Sequence, residues 1–401
     1  MAERPRSDTC ENERVECWSD LPAELLQSIV KRLDAKVDVS RSRAVCKSWR
    51  FSISPLNGNS PPIKVHFSYT IRRRERRIKK TILPLRMRVV YHVAPQSPAS
   101  NSRGWLVKVT ESEKTWQKPL IMLHPLSGSP FPKGPVPNPL LPKELNLNDF
   151  RVSELSKTYH SPCAYQLAVS LNSDFPALMM IGGGKLYHCK LGVDGEIPKC
   201  KEIKSLTSSV NYGDVICHEG KFYVVSLDGR TIVVDSSLTA KMIATPISAP
   251  VIRRNIPIGI GKRYLVESFG ELLLVIYLAS TTECRHLSEV GVAFEIFKLN
   301  ADEKQWVEMT TLDDRILFVG EDSRFSVLAR DFPGCKGNCI YFYDPCPVNC
   351  KYHHMPQRFS NIGVFDIGSG SNASGLPRLR FLDDGGDGAN IFCLPPEFAL
   401  A

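Results

Sequence analysis

The sequence predicts a mainly β protein that opens with a small α-helical unit and continues as a propeller-like body. Three observations predict it. The only convincing helical periodicity lies near the N-terminus, between Trp18 and Leu33. From about Arg103 onward, short β-branched or aromatic runs recur between Gly, Asp, Asn and Ser. Glycines placed immediately before apolar runs (Gly184, Gly220, Gly270 and Gly337) form a loose repeat with uneven spacing, as blades with insertions would.

In the helical unit, Ser19 and Asp20 stand where a capping side chain belongs, and Pro22 suits a first turn because its missing N–H would have no partner there. Leu25, Ile29 and Leu33 repeat at four-residue steps. Leu26 and Val30 widen that stripe, while Glu24, Gln27, Ser28, Lys31 and Arg32 take the other side. A second helix is expected from about Val37 to Cys46, then a short turn carrying Trp49. Three helices this small bury little surface between them, so a larger domain or a partner must cover the remainder. Pattern alone leaves an ordinary three-helix cap and a docking hook equally open.

The order and spacing of particular residues separate the two. Leu21-Pro22, Leu25-Leu26, Ile29 and Leu33, followed by Asp38-Val39, Arg41, Arg43, Val45-Cys46-Lys47 and Trp49-Arg50, closely resemble the F-box. The resemblance implies that Leu21, Pro22, Leu25, Leu26 and Ile29 face the Skp-type adaptor of a cullin-based ubiquitin ligase. It also implies that Val45, Cys46 and Trp49 complete that surface or its supporting core. Ser42 departs from the pattern, standing where plant F-boxes usually carry a bulky apolar residue, which weakens the expected adaptor contact.

The body is read from its strands and turns. Trp105–Val109, Ala177–Ile181, Phe222–Ser226, Thr231–Asp235, Leu272–Tyr277, Ala293–Leu299 and Ile316–Val319 are strand candidates. Leu227-Asp228-Gly229-Arg230 carries the Asp-Gly pair of a two-residue hairpin loop, and Leu299 to Trp306 reads as a longer hairpin. A β-sandwich pair is the alternative, but hairpins recur over too long a span for one sandwich. The stretches Leu317 to Asp344 and Asn361 to Asp366 are similar to plant F-box proteins with a KIB-type C-terminal β-propeller. The expected organisation is therefore a three-helix F-box (17–54), a linker with basic first strands (55–102) and a KIB-type propeller-like domain (103–401).

Bulk composition bounds the rest. Of 401 residues, 43% are hydrophobic and 23% charged, which excludes a wholly disordered or fibrous chain. No apolar run approaches the roughly 20 residues of a membrane helix, and Met1 to Cys17 lacks the apolar stretch of a secretory signal. Thirteen cysteines, an odd count, then favour reduced, mostly buried thiols over a disulfide framework, in a protein of the nucleus, the cytoplasm or both.

The net charge of +9 gathers at Arg72, Arg73, Arg74, Arg76, Arg77, Lys79 and Lys80. That run reads as a solvated strand edge or a nuclear-import signal. A nucleic-acid- or chromatin-associated role is the alternative function, disfavoured because no aromatics interleave the arginines and no groove-reading module accompanies them.

Catalytic and metal chemistry find little support. Gly182-Gly183-Gly184-Lys185 lacks the spacing and the following Ser or Thr of a phosphate loop, and reads as a turn. Cys335, Cys339, Cys346, Cys350, His353 and His354 could enclose zinc, but their spacing is not that of a tight structural knuckle, and Cys339 begins an apolar strand. No metal, cofactor or catalytic residue is expected. The resemblances imply a non-catalytic substrate receptor that joins the adaptor, and through it the cullin, to a protein target the sequence does not identify.

Overall fold

A computed structural model describes residues 21–30, 42–53, 64–70, 78–95, 105–111, 120–128, 150–161, 166–171, 176–191, 199–203, 211–235, 239–247, 262–279, 292–332, 335–343, 362–368 and 380–381. No helix among them is long and apolar enough to cross a membrane. Helix α1 (Ala23–Val30) and helix α2 (Lys47–Ser52) belong to the N-terminal unit, and residues 42–45 are helical between them. The remainder of the expected second helix, 37–41, lies outside the described residues.

A two-stranded ribbon pairs β1 (Lys64–Thr70) with β2 (Ile78–Pro84). Five larger sheets follow. The first contains β3 (Arg86–Pro95), β4 (Trp105–Glu111), β5 (Leu120–Leu123) and β6 (Phe150–His160), in the order β6-β3-β4-β5. The second runs in chain order through β7 (Gln166–Ser170), β8 (Ala177–Gly182), β9 (Lys185–Lys190) and β10 (Lys201–Ile203).

The third does the same with β11 (Tyr212–His218), β12 (Lys221–Ser226), β13 (Thr231–Val234) and β14 (Ala240–Ala244). So does the fourth, with β15 (Lys262–Ser268), β16 (Glu271–Ala279), β17 (Val292–Asn300) and β18 (Gln305–Met309). The fifth orders β19 (Arg315–Val319), β20 (Arg324–Leu328), β21 (Cys339–Tyr343), β22 (Ile362–Asp366) and β23 (Arg380–Phe381) as β20-β19-β21-β22-β23.

Neighbour relations among the innermost strands make these sheets blades. Strand β6 touches β7, β7 touches β11, β11 touches β15, β15 touches β20, and β20 returns to β6. The ring closes with five blades. All five junctions between neighbouring blades are filled by a separate apolar layer, for example Met179 and Val224 between blades 2 and 3 and Leu274 and Trp306 between blades 3 and 4. Each blade is covered on both faces. That is why β8 is buried along its whole length, and why Leu272 to Tyr277 is a continuous apolar run sending alternate residues to two layers.

Several expectations change. Strand β3 lies inside the 55–102 span, yet it is hydrogen-bonded between β4 and β6, so the propeller begins ahead of residue 103. The glycine repeat marks unlike places. Gly220 and Gly270 close the first hairpins of blades 3 and 4, Gly184 closes the second hairpin of blade 2, and Gly337 sits against Asp313 at the entry to β21. What the three hairpins share is two successive residues at positive φ: Gly183-Gly184, Glu219-Gly220 and Phe269-Gly270, the demand of a mirror-image turn.

The Asp228-Gly229 connection has three loop residues instead of two, because Ser226 N–H donates to the Arg230 carbonyl at 2.8 Å. The thiols also depart from expectation: Cys189 and Cys200, eleven positions apart, are joined by a disulfide. Strand pairing brings them together, and nothing in their spacing announces it. Among the described residues Cys46, Cys217, Cys335 and Cys339 take part in no disulfide.

Candidate functional site

The helical unit builds an apolar face over a small closed core. Leu26 and Ile53 are fully buried, with Leu21, Val30 and Trp49 packed around them. Cys46 caps α2, its Sγ accepting from the Trp49 N–H at 3.4 Å, and the Ile53 N–H donates to the Trp49 carbonyl at 2.9 Å. Arg50 Nε donates to the Arg43 carbonyl at 3.3 Å. The first two bonds cap α2 and the third ties it to the helical turn at 42–45, while the packing of Leu26 on Ile53 holds it against α1. Large apolar side chains are left in water, with Leu25 55% exposed, Ile29 40%, Val45 59% and Phe51 87%.

The residues expected on the adaptor face thus divide. Leu25, Ile29 and Val45 are exposed, as is Pro22, while Leu21, Cys46 and Trp49 are half-buried. Leu26 lies beneath the face instead of on it, because α1 turns it about 100° from Leu25 towards Ile53. Phe51 carries the largest exposure of the four and was not singled out in the sequence. Its only signal was an aromatic two positions after Trp49, on the opposite side of a short helix. Exposed apolar groups of this size on so small a unit are the signature of a surface that meets a partner.

A second concentration of polar groups lies at the propeller axis. Asp214 of β11 is wholly buried. Its Oδ1 accepts from the Val215 N–H at 2.8 Å and its Oδ2 from the Leu265 N–H at 2.7 Å, and it pairs with Arg324. Arg324 of β20 also donates to Gln166 Oε1 of β7 at 3.1 Å. Burial pushes the Asp214 carboxyl upward, against the pull of Arg324 and the two backbone donors. The set joins blades 2, 3, 4 and 5 around the axis, and Ser268 and Ser326 are bonded at 3.0 Å between blades 4 and 5. A carboxylate supplied with two backbone donors and a guanidinium is a structural tie. An aspartate inside the apolar run of β11 was its signal in the sequence.

The remaining expected sites are placed as follows. Arg72, Arg73, Arg74, Arg76 and Arg77 lie outside the described residues, and Lys79 and Lys80 belong to β2. Cys346, Cys350, His353 and His354 lie outside the described residues too. Cys339 is buried at the start of β21, and burial pushes its thiol up to about 11. Gly183 and Gly184 form the β8–β9 turn.

Comparison with known proteins gives two family matches. The KIB1-4 beta-propeller model matches residues 69–366, and the F-box-like model matches residues 18–55. Among curated relatives, F-box protein SKIP23 of Arabidopsis thaliana is 28% identical, the match covering 95% of each chain. F-box protein At2g17036 of the same plant is 29% identical over 88% of this chain and 89% of its own.

Proposed function

The chain belongs to the F-box proteins that carry a KIB1-4 β-propeller, and from that premise we propose that it is the substrate-recognition subunit of an SCF-type ubiquitin ligase. The N-terminal unit binds the Skp-type adaptor, which connects it to the cullin, and the propeller binds the protein to be ubiquitinated. The subunit contributes proximity: it holds the target near a ubiquitin-conjugating enzyme, which performs the chemistry, and so needs no catalytic residue of its own. It works in the nucleus, the cytoplasm or both.

The observation that carries this reading is the apolar face of Leu25, Ile29 and Val45 held above the Leu26–Ile53–Trp49 core. Burying such side chains in a partner stabilises the complex by about 1.5–3 kcal/mol each. The test is binding of purified Skp-type adaptor to wild type and to a Leu25→Asp, Ile29→Asp variant, with propeller folding monitored by thermal unfolding. We expect at least a hundredfold loss of affinity with the propeller transition unchanged, and undiminished adaptor binding by the variant would falsify the proposal. Leu26→Ala should weaken binding by another route, by loosening the hook itself.

A further inference from the structure

The disulfide of blade 2 occupies a position that suggests a second role for this sheet. Strand β10 has three residues, and within its blade it pairs only with β9: Lys201 with His188, Glu202 with Tyr187 and Ile203 with Leu186. Continuing that register by one step sets Cys200 opposite Cys189, where the two are bonded with Cα atoms 4.3 Å apart. One further step brings Lys199 to the level of Lys190, and both are exposed. Like charges facing each other across two strands push them apart. Beyond the three residue pairs, the Lys185–Glu202 ion pair at 2.8 Å supports the strand, and both partners are about half exposed, where such pairs contribute little. Among the described residues the crosslink therefore joins the three pairs, the ion pair and the packing of Ile203 against the layer between blades 2 and 3 in holding this short edge strand.

The two sulfurs are placed differently. Cys189 is fully buried among Leu178, Met180 and Tyr187, whereas Cys200 is only half-buried and stands between Lys199 and Lys201, with Lys190 nearby. Cationic surroundings and partial access are the conditions under which a thiol ionises and meets an oxidant, and a buried partner close by is the arrangement of a resolving cysteine.

We infer that Cys189 and Cys200 form a peroxide-responsive thiol–disulfide pair that fixes or frees strand β10 of blade 2. In the oxidising direction the Cys200 thiolate attacks hydrogen peroxide. The O–O bond breaks, sulfur is oxidised by two electrons to a sulfenic acid, and the other oxygen leaves as water after taking up a proton. The Cys189 sulfur then attacks the sulfenic sulfur, the S–S bond forms, the S–O bond breaks and a second water leaves with the thiol proton. A dithiol reductant reverses the outcome by exchange, ending as its own disulfide.

The experiment uses the full chain with its adaptor. Protein reduced with dithiothreitol and freed of it is treated with hydrogen peroxide, alkylated and digested without reduction. Amide exchange and thermal unfolding are followed in both states. The expected result is a crosslinked peptide pair containing Cys189 and Cys200 that disappears on renewed reduction. Protection of residues 186–190 and 200–203 should fall at least tenfold in the reduced state, and the unfolding midpoint should drop by a few degrees. Cys200→Ser, at the half-buried position, should fold and lose both redox dependences. Cys189→Ala gives a second variant that fills the buried site with an apolar side chain. Two cysteines that stay alkylatable after peroxide in folded protein would overturn the inference, and so would a Cys200→Ser protein whose exchange still responds to reductant as wild type does.

Discussion

The junction between blades 3 and 4 and the junction between blades 1 and 5 perform the same task, and the second adds a cluster of ion pairs between side chains to its apolar layer. Between blades 3 and 4 the layer is apolar, with Val225, Leu265, Leu274, Ile276 and Phe297 around Trp306. The indole N–H donates to the Gly229 carbonyl at 3.2 Å and to Thr231 Oγ1 at 3.1 Å, and elsewhere along the junction the Leu265 N–H donates to Asp214 and the Thr245 N–H to the Lys304 carbonyl. Between blades 1 and 5, where the ring closes, an apolar layer around Phe318, Phe325 and Tyr341 is joined by a buried charge cluster. Asp322, in the β19–β20 turn, accepts from both Lys108 of β4 and Arg88 of β3. Beside it the Glu321 N–H donates to the Leu126 carbonyl at 3.0 Å, and Gly320 lies so close to that carbonyl that a Cβ could not be fitted.

Burial opposes charge on Asp322, but Lys108 and Arg88 outweigh it and hold its carboxyl below the ordinary carboxylate range. Lys108, with no exposed side-chain surface, is pulled down by the same burial, which Asp322 only partly offsets. The difference between the two junctions is one of chain order. Blades 3 and 4 fold as continuous hairpin meanders and meet through complementary apolar faces with a few hydrogen bonds. Blades 1 and 5 meet across more than two hundred residues of chain, and their strands are out of order within each blade. A charge cluster satisfied in one arrangement alone is a means of fixing that register, and blade closure is where register is least specified locally.

The largest expected effect comes from breaking the charged junction. Asp322→Ala leaves two cations buried against each other and should cost about 3–5 kcal/mol in denaturant unfolding. Replacing the whole cluster with apolar groups (Arg88→Met, Lys108→Met, Asp322→Leu) should recover most of that loss. If the triple variant is as unstable as Asp322→Ala, the cluster does more than satisfy its own charges.

Next in size is the response to acid, which should be concentrated in blade 1. His124 is buried, its Nδ1 accepting from the Leu126 and Ser127 N–H groups at 3.2 Å, and burial followed by the nearby Lys108 pushes it down to about 3. Burial likewise pushes His92 and His160 of the same blade down to about 4. A lowered histidine contributes stability that is fully present above its unfolded pKa of about 6.5 and is lost as pH falls towards the folded value. For His124 the loss is about 2 kcal/mol by pH 5. His124→Asn keeps an acceptor for the two N–H groups and should flatten the stability profile between pH 7 and 5 by that share. An unchanged slope would place the acid sensitivity elsewhere.

The smallest effect is expected at the apolar junction. Trp306→Phe removes one donor from two acceptors and should cost about 1 kcal/mol, with little dependence on pH. A loss comparable to that of Asp322→Ala would mean the two junctions are equally polar in energy despite their composition.

What was legible in the sequence follows the range of the interaction that produced it. The α1 stripe, the strands Ala177–Ile181 and Leu272–Tyr277, and the turns at Gly220 and Gly270 are local, and each is found where periodicity or turn chemistry put it. The glycine repeat misled because a turn needs the same residues whether it closes the first or the second hairpin of a blade. Among the hook residues, the pattern identified the apolar set but could not divide it. Leu25 and Leu26 are adjacent and alike, and only the position of Ile53 decides which is covered.

The sequence by itself determined that this chain carries a small helical hook and a repeating β body, because helix period, strand period and turn residues are set within a few positions. The tertiary structure decided that five blades close into a ring and that β6 and β20 become inner strands out of chain order. It also decided that Asp322 meets Lys108 and Arg88, and that Cys189 meets Cys200. Each of these depends on which distant surfaces fit together, and no local periodicity records that.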